Sequence, residues 1–426
     1  MMLLIKNAKI VNSDGIDDRI KDILIQDGKI VKIGENLKSD GADIIDAKGK
    51  FVSPGFIDLH AHFRQPGQEY KETIETGSAA AAKGGFTSVF CMPNTKPPID
   101  NIALVDFIIR EGKRVGLVNV YPVGAITKGQ QDEELTDMFE MRRAGCLMLS
   151  DDGKSVHNSH LMRMALQYSQ MVGILISEHC EDPLLSKTGV VNEGYFSTLL
   201  GMKGDPAVSE TTIISRDIEL AHYLDCRIHF AHVSTKRSVE LIRRAKTDGV
   251  KVSAEACPHH FSLTEKEIRS FNTNLKVKPP LRSEEDVAEI KRGLKDGTID
   301  CIATDHAPHS QEEKELDFDQ APSGMIGLET AFGLGITELV DAKILTLPQL
   351  IDKMSASPAK ITGLSAKGKI AEGMDADLTV FDSEAPWQVK AAGFASKSKN
   401  SPFIGKTLKG LVLATICGGN VVYNVE

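Results

Sequence analysis

The chain has 426 residues, of which 41% are hydrophobic and 26% charged, with a net charge of −9. That composition suits a globular protein with a large core, and an acidic balance without a basic stripe excludes a general nucleic-acid binder. No apolar run approaches membrane-span length, and the start, Met1-Met2-Leu3-Leu4-Ile5-Lys6, lacks a signal peptide's apolar region and cleavage site, so a cytoplasmic protein with no membrane contact is expected. Seven scattered cysteines with no Cys-x-x-Cys pair fit a reducing compartment.

In chain order, residues 1–53 read as short strands at 3–11, 22–26, 29–33 and 43–46, broken by turn pairs such as Asp27-Gly28, and an antiparallel layer is expected there. From Pro54 the pattern changes to apolar strands alternating with amphipathic helices, as in a parallel sheet with crossover helices. The strand opening at Phe56 ends in His60-Ala61-His62 and is followed by a helix at 73–83. Strand 87–92 ends in Pro93-Asn94, helix 103–113 leads to strand 118–123, and helix 132–144 leads to strand 146–150, which ends in Asp151-Asp152-Gly153. Helix 159–171 leads to strand 173–177 and Glu178-His179; helix 209–224 leads to strand 227–231 and His232. Helix 236–248 leads to strand 250–256 and His259-His260, and helix 284–296 leads to strand 300–304 and Asp305-His306-Ala307-Pro308-His309. Eight such units predict an α/β fold with a (β/α)8 TIM-type barrel over 54–364. Beyond Leu364 strands return at 376–381, 408–417 and 420–423, so residues 365–426 are expected to join 1–53 in one β-sandwich.

The chemistry-bearing residues sit at the C-terminal ends of these strands, where barrel active sites lie. His60 and His62, two apart, share a strand face and can grip one metal ion; Arg64 has the same parity and adds a fork suited to a carboxylate. The candidate metal ligands are His60, His62, Asp152, His179, His232 and Asp305, a set that suits zinc. It uses two ions naturally, with Asp152 as the shared carboxylate. Two ions can hold a bridging hydroxide at neutral pH and polarise a carbonyl. Asp305 beside them can take a proton and pass it to a leaving nitrogen. Arg64, Asn94 and His309 offer donors to a carboxylate or amide. His157, His160, His222 and His229 read as ordinary structural histidines, while His259, His260 and His306 adjoin the active face. Cys91, Cys146, Cys226 and Cys301 read as barrel packing. The segments 152–156 and 310–324 are candidate lids.

Pro54-Gly55-Phe56-Ile57-Asp58-Leu59-His60-Ala61-His62-Phe63-Arg64 and Ala303-Thr304-Asp305-His306-Ala307-Pro308-His309 resemble the paired signatures of dihydroorotases, cyclic amidohydrolases of the amidohydrolase superfamily. Met92-Pro93-Asn94-Thr95, Asp151-Asp152-Gly153 and Glu178-His179-Cys180-Glu181-Asp182 are similar to the long class I members. The resemblance implies reversible zinc-dependent hydrolysis of (S)-dihydroorotate to N-carbamoyl-L-aspartate, the third step of pyrimidine synthesis. A metal-bridging hydroxide is the nucleophile and Asp305 the acid/base. It implies two Zn2+ per subunit: His60, His62 and Asp305 on one, His179 and His232 on the other, and Asp152 between. Substrate contacts are implied for His62, Arg64, Asn94 and His309, and for the backbone around Ser323-Gly324. Lys278 stands where many relatives carry a substrate-contacting asparagine, and Ser323 replaces a larger apolar residue. A homodimer and a complex with aspartate carbamoyltransferase are the partners the resemblance brings. The alternatives are a hydantoinase or allantoinase, whose substrate need not carry a carboxylate, and a silent scaffold for the carbamoyltransferase, which would lack ligand residues that this chain has.

Overall fold

The computed structural model describes residues 2–38 and 41–425. Strands β1 (Met2–Asn12), β2 (Gly15–Gln26), β3 (Lys29–Gly34), β4 (Asp43–Asp46) and β5 (Phe51–Pro54) precede the barrel. β1, β2 and β3 pair antiparallel, as their turns dictate. β4 and β5 instead lie parallel to β1, one after the other along its length, so the layer is mixed rather than purely antiparallel. The crossover after β3 is long enough to return the chain to the same end of β1, which a tight hairpin cannot do.

The barrel strands are β6 (Phe56–Ala61), β7 (Phe86–Cys91), β8 (Asn119–Gly124), β9 (Met148–Leu149) and β10 (Leu175–Glu178). A small pair, β11 (Val191–Asn192) and β12 (Gly204–Asp205), then stands apart from it. β13 (Ile228–Phe230), β14 (Val252–Ala256) and β15 (Cys301–Ile302) complete eight parallel strands in sequential order. The ring closes where the His62 N–H donates to the His306 carbonyl at 2.8 Å and Ala61 bridges His306. Asp58 reinforces this closure, accepting from the Thr304 N–H at 2.9 Å and from its hydroxyl at 2.5 Å. Ile57, Leu59, Phe90, Met92, Val123, Met148, Leu175 and Cys301 form one apolar cluster, capped by Ala359 and Ile361 of the helix Ser357–Thr362. A second, larger cluster lies between strands and helices.

The helices begin where their caps allow. Ser283 closes a capping box with Asp286 and starts Glu284–Asp296, as expected. The expected helix 132–144 is shorter, Met138–Ala144. Asp132 takes the left-handed conformation (φ 58°), and the Asp137 carboxylate caps the Glu140 N–H, so the preceding turns cannot be helical.

After the barrel, β16 (Leu378–Gln388), β17 (Thr407–Cys417) and β18 (Asn420–Asn424) return to the terminal sheet, where β16 pairs with β5. Both chain ends thus share one mixed sheet. Its two flanks also share one core, in which Ile23, Ile25 and Ile30 meet Leu378, Val380, Ala414 and Ile416. All seven cysteines are free, and Cys91, Cys146, Cys226 and Cys301 are buried packing residues. Among the described residues no helix is long and apolar enough to cross a membrane.

Candidate active site

At the C-terminal ends of the barrel strands the chain turns sharply, and these turns aim the polar side chains inward. Arg64 (φ 60°), His232 (φ 33°) and Asp305 (φ 45°) all occupy the left-handed region that non-glycine residues avoid. Such conformations cost of order 1–3 kcal/mol each, and their concentration at one place marks a site whose geometry is imposed by the fold.

Asp152 stands at the centre. Its Oδ1 lies 3.2 Å from His60 Nε2, 3.2 Å from His179 Nδ1 and 3.3 Å from His232 Nε2, and its Oδ2 lies 3.4 Å from His62 Nε2. Asp305 Oδ1 is 3.0 Å from His62 Nε2 and 3.7 Å from His60 Nε2. All six residues expected as metal ligands therefore converge within one shell. The neighbouring Asp151 does not join them: it accepts from the Ile126 and Thr127 N–H groups at 2.7 and 3.1 Å and from the Thr127 hydroxyl.

The imidazoles are oriented from behind. His60 Nδ1 is 2.9 Å from Glu255 Oε1, His62 Nδ1 is 2.8 Å from Asn94 Oδ1, and His179 Nε2 is 3.2 Å from Glu181 Oε2. Each outer partner is an acceptor, so each ring, when neutral, can place its N–H outward and its lone pair toward Asp152 and Asp305. That is the tautomer a metal requires. His60 Nε2 is buried and makes no well-directed hydrogen bond within the protein. His179 Nδ1 and His232 Nε2 face one another at 2.9 Å. Converging imidazole nitrogens and carboxylates fit a divalent cation of the borderline class. His60, His62 and Asp305 form one possible chelating group, and His60, Asp152 and His232 another.

The carboxylates are held ionised. Burial raises the pKa of Asp152, but His60 and the other surrounding imidazoles outweigh it and hold the group well below the ordinary value. Asp305 is likewise lowered against burial, chiefly by its hydrogen bond with His62. Burial also opposes the charge on Glu255, yet His229 and His60 bring its pKa to about 2.

A cleft of about 200 Å³ opens onto this centre. It is lined by His62, Arg64, Asn94, Asp152, His179, His232, Lys278, Asp305, His309, Ser323 and Gly324, which includes every expected substrate contact. Arg64 is 8% exposed. Its Nε donates to the Pro308 carbonyl at 3.2 Å, and it has no carboxylate partner among the described residues. Gly324 (φ 138°) closes the far wall, where a Cβ would come within 2.7 Å of Ala307 Cβ and 3.0 Å of His309 Nε2. Lys278 lines the cleft as expected, but its ammonium is engaged by Glu181 Oε1 at 2.7 Å, so it presents a paired cation there.

Sequence reasoning missed several residues. Glu255 sits inside β14, and a lone carboxylate in an otherwise uncharged strand was the available signal. Asn400, from beyond the barrel, accepts from the His309 N–H at 3.2 Å and donates to the Ala307 and Gly324 carbonyls. His306 is a tie: Glu72 Oε2 is 3.3 Å from its Nε2, and the Gly327 N–H donates to its Nδ1 at 3.2 Å. His229 is likewise held between Ser253 and Glu255. His259 and His260 are buried beside Cys257 and do not line the cleft. The 310–324 segment is anchored, with Lys314 Nζ donating to the Thr273 and Pro322 carbonyls at 3.0 and 2.8 Å.

Two family models match the chain, one described as dihydro-orotase-like over residues 49–238 and one as amidohydrolase family over residues 284–423. A dihydroorotase of Pelotomaculum thermopropionicum is 53% identical over 422 residues, covering 99% of this chain and 98% of its own. A dihydroorotase of Trichlorobacter lovleyi is 50% identical over 426 residues, the whole of both chains. Among solved structures, an L-hydantoinase (dihydropyrimidinase) of Arthrobacter aurescens matches with a TM-score of 0.88 at 29% identity, over 99% of this chain and 96% of that one. A dihydropyrimidinase of Brevibacillus agri shares the fold, with a TM-score of 0.84 at 23% identity over 100% and 95% of the two chains.

Proposed function

Because the chain belongs to the dihydroorotase family of the amidohydrolases, we propose that it interconverts (S)-dihydroorotate and N-carbamoyl-L-aspartate in pyrimidine biosynthesis. The observation that carries this reading is Arg64. A buried guanidinium without a carboxylate partner is costly unless an anion arrives to pair with it, and Arg64 stands in the same cleft as the imidazole–carboxylate centre. A cyclic amide bearing a carboxylate satisfies both parts of the site at once.

His60, His62 and Asp305 would hold one divalent ion and His179 and His232 a second, with Asp152 shared between them. Zinc, two per subunit, suits this donor set, and when bound it supplies an activated water and a polarised carbonyl. The protein's own groups do the rest. Arg64, with His309 and Asn94, holds the substrate carboxylate and fixes the ring against the centre. Asp305, kept ionised by His62, takes the proton released as water adds to the ring carbonyl. It then delivers that proton to the nitrogen as the carbon–nitrogen bond breaks. In ring closure the same carboxylate works in reverse. The hydrolytic barrel in this reading is residues 54–364, flanked by 1–53 and 365–426. A cytoplasmic setting, a homodimer and association with an aspartate carbamoyltransferase go with it, and light scattering and co-purification test the last two.

The direct test is turnover of dihydroorotate by the purified, zinc-supplemented protein, with hydantoins and allantoin in parallel. Hydrolysis that a chelator abolishes is expected for dihydroorotate, with Arg64→Met raising KM. Turnover of hydantoins but not dihydroorotate, or no turnover by metal-loaded protein, would refute the reading.

A further inference from the structure

The carboxylate corner of the cleft contains a choice of tautomer. His309 Nε2 is 2.9 Å from the Ser323 carbonyl oxygen and 3.4 Å from an Arg64 terminal nitrogen. His309 Nδ1 is 3.3 Å from Lys71 Nζ and 3.3 Å from Glu313 Oε2. Burial, and then the positive charges of Arg64 and Lys71, depress the pKa of His309, so the ring is neutral and carries a single N–H. With the proton on Nε2, that N–H donates to the Ser323 carbonyl at 2.9 Å and Nδ1 accepts from the Lys71 ammonium, while the Arg64 nitrogen at 3.4 Å faces a donor and Glu313 a lone pair. With the proton on Nδ1, the N–H can reach Glu313, but the Lys71 ammonium then faces another donor. At the same time the Nε2 lone pair faces a carbonyl oxygen at 2.9 Å. Arg64 and Glu313 favour the Nδ1–H state and the Ser323 carbonyl opposes it, so the Lys71 ammonium tips the balance. It is held in place by Glu313 Oε1 at 2.9 Å, and the Lys71 carbonyl accepts from the Ser398 hydroxyl at 2.7 Å. Lys71 itself is 8% exposed, too buried to be an ordinary surface cation.

We infer that Lys71 is a specificity-determining positioning residue that fixes His309 as the Nε2–H tautomer, so that the ring turns an N–H, shared with the Ser323 carbonyl, rather than a lone pair to the corner where Arg64 would hold a substrate carboxylate. The benefit to substrate rests on the activity proposed above; the tautomer does not. Without Lys71 the proton moves to Nδ1, facing Glu313, and an acceptor then stands where an anion must sit.

The test joins a spectrum to a kinetic split. Two-bond 1H–15N correlation of histidine-labelled full-length protein, with His309→Gln identifying the signals, reads the tautomer directly. Wild type is expected to show a pyridine-type Nδ1 and a pyrrole-type Nε2, and Lys71→Met the reverse. For dihydroorotate, K71M is expected to raise KM about tenfold or more, as for loss of a hydrogen bond to a charged group, with kcat changed much less. A pyrrole-type Nδ1 in wild type, an unchanged pattern in K71M, or a fall in kcat at constant KM would overturn the inference. The wild-type spectrum, assigned with His309→Gln, needs neither turnover nor a folded Lys71 variant. A protein inactive on dihydroorotate would therefore refute the proposed activity, while the spectrum decides the role of Lys71 separately.

Discussion

Removing the buried carboxylate of Glu255 should loosen the metal centre in a graded way. Glu255 is 1% exposed, and three donors meet it: His60 Nδ1 at 2.9 Å, His229 Nε2 at 3.0 Å and the His232 N–H at 3.3 Å. Glutamine at this position has one oxygen and one amide nitrogen. Its oxygen can serve His60 and His232 while its amide faces His229, which can shift its own proton to the side of Ser253. Geometry survives and only the charge is lost, so Glu255→Gln should weaken metal retention about tenfold, or about 1.4 kcal/mol. Glu255→Ala leaves His60 without an acceptor, free to turn its Nε2 into a donor that cannot bind a cation. His229 can move its proton as before, so the one stranded N–H is that of His232, which should cost about 1–3 kcal/mol of folding stability. Metal affinity should fall about a hundredfold. The assay is metal content after dialysis against graded chelator, with urea denaturation of the same samples. If Ala and Gln retain metal like wild type, or if Ala unfolds more easily while its metal affinity is intact, Glu255 does not orient His60.

Asp305→Asn should keep the bound metal and lose about 10²–10⁴ in kcat, because the amide cannot accept the proton; wild-type turnover in the variant would remove Asp305 from the chemistry. Lys314 supplies a pH test. Burial, and then the charge of Lys276, push its pKa down from 10.5 to about 7. Between these values the unfolded chain binds more protons than the folded one, so this group's penalty is fully present below pH 7 and is relieved as pH rises. Wild type should therefore gain stability relative to Lys314→Met between pH 7 and about 9.5 in urea titrations, and a constant difference would contradict the assignment. Gly67→Ala places a Cβ 2.0 Å from the Lys96 carbonyl at φ 90°. It should cost about 2–4 kcal/mol, read as a lower denaturation midpoint; an unchanged midpoint would mean the turn is not packed as described.

Much of this site is legible in one dimension because the relevant periodicities are local. Alternating strands and helices set the barrel, and barrel topology brings every strand's C-terminal end to one face. His60, His62, Asp152, His179, His232 and Asp305 could therefore be assembled from their positions at strand ends, and the structure places them within one shell. The resemblance to dihydroorotases added Lys278, Ser323 and Gly324, which line the cleft. Local pattern could not tell that β4 and β5 run parallel to β1, since pairing direction depends on where a loop delivers the chain. Nor could it show that Lys278 is claimed by Glu181.

What only the tertiary structure decided is which nitrogen each imidazole presents. That depends on the acceptor behind the ring, and for His60 it is Glu255, 195 residues away. For His309 the deciding neighbour is Lys71, 238 residues away, with Asn400 holding the backbone from beyond the barrel. Residue type and spacing determine that a histidine reaches the site. The proton it carries there is set by hydrogen bonds between segments distant in sequence, which exist only once the chain has folded.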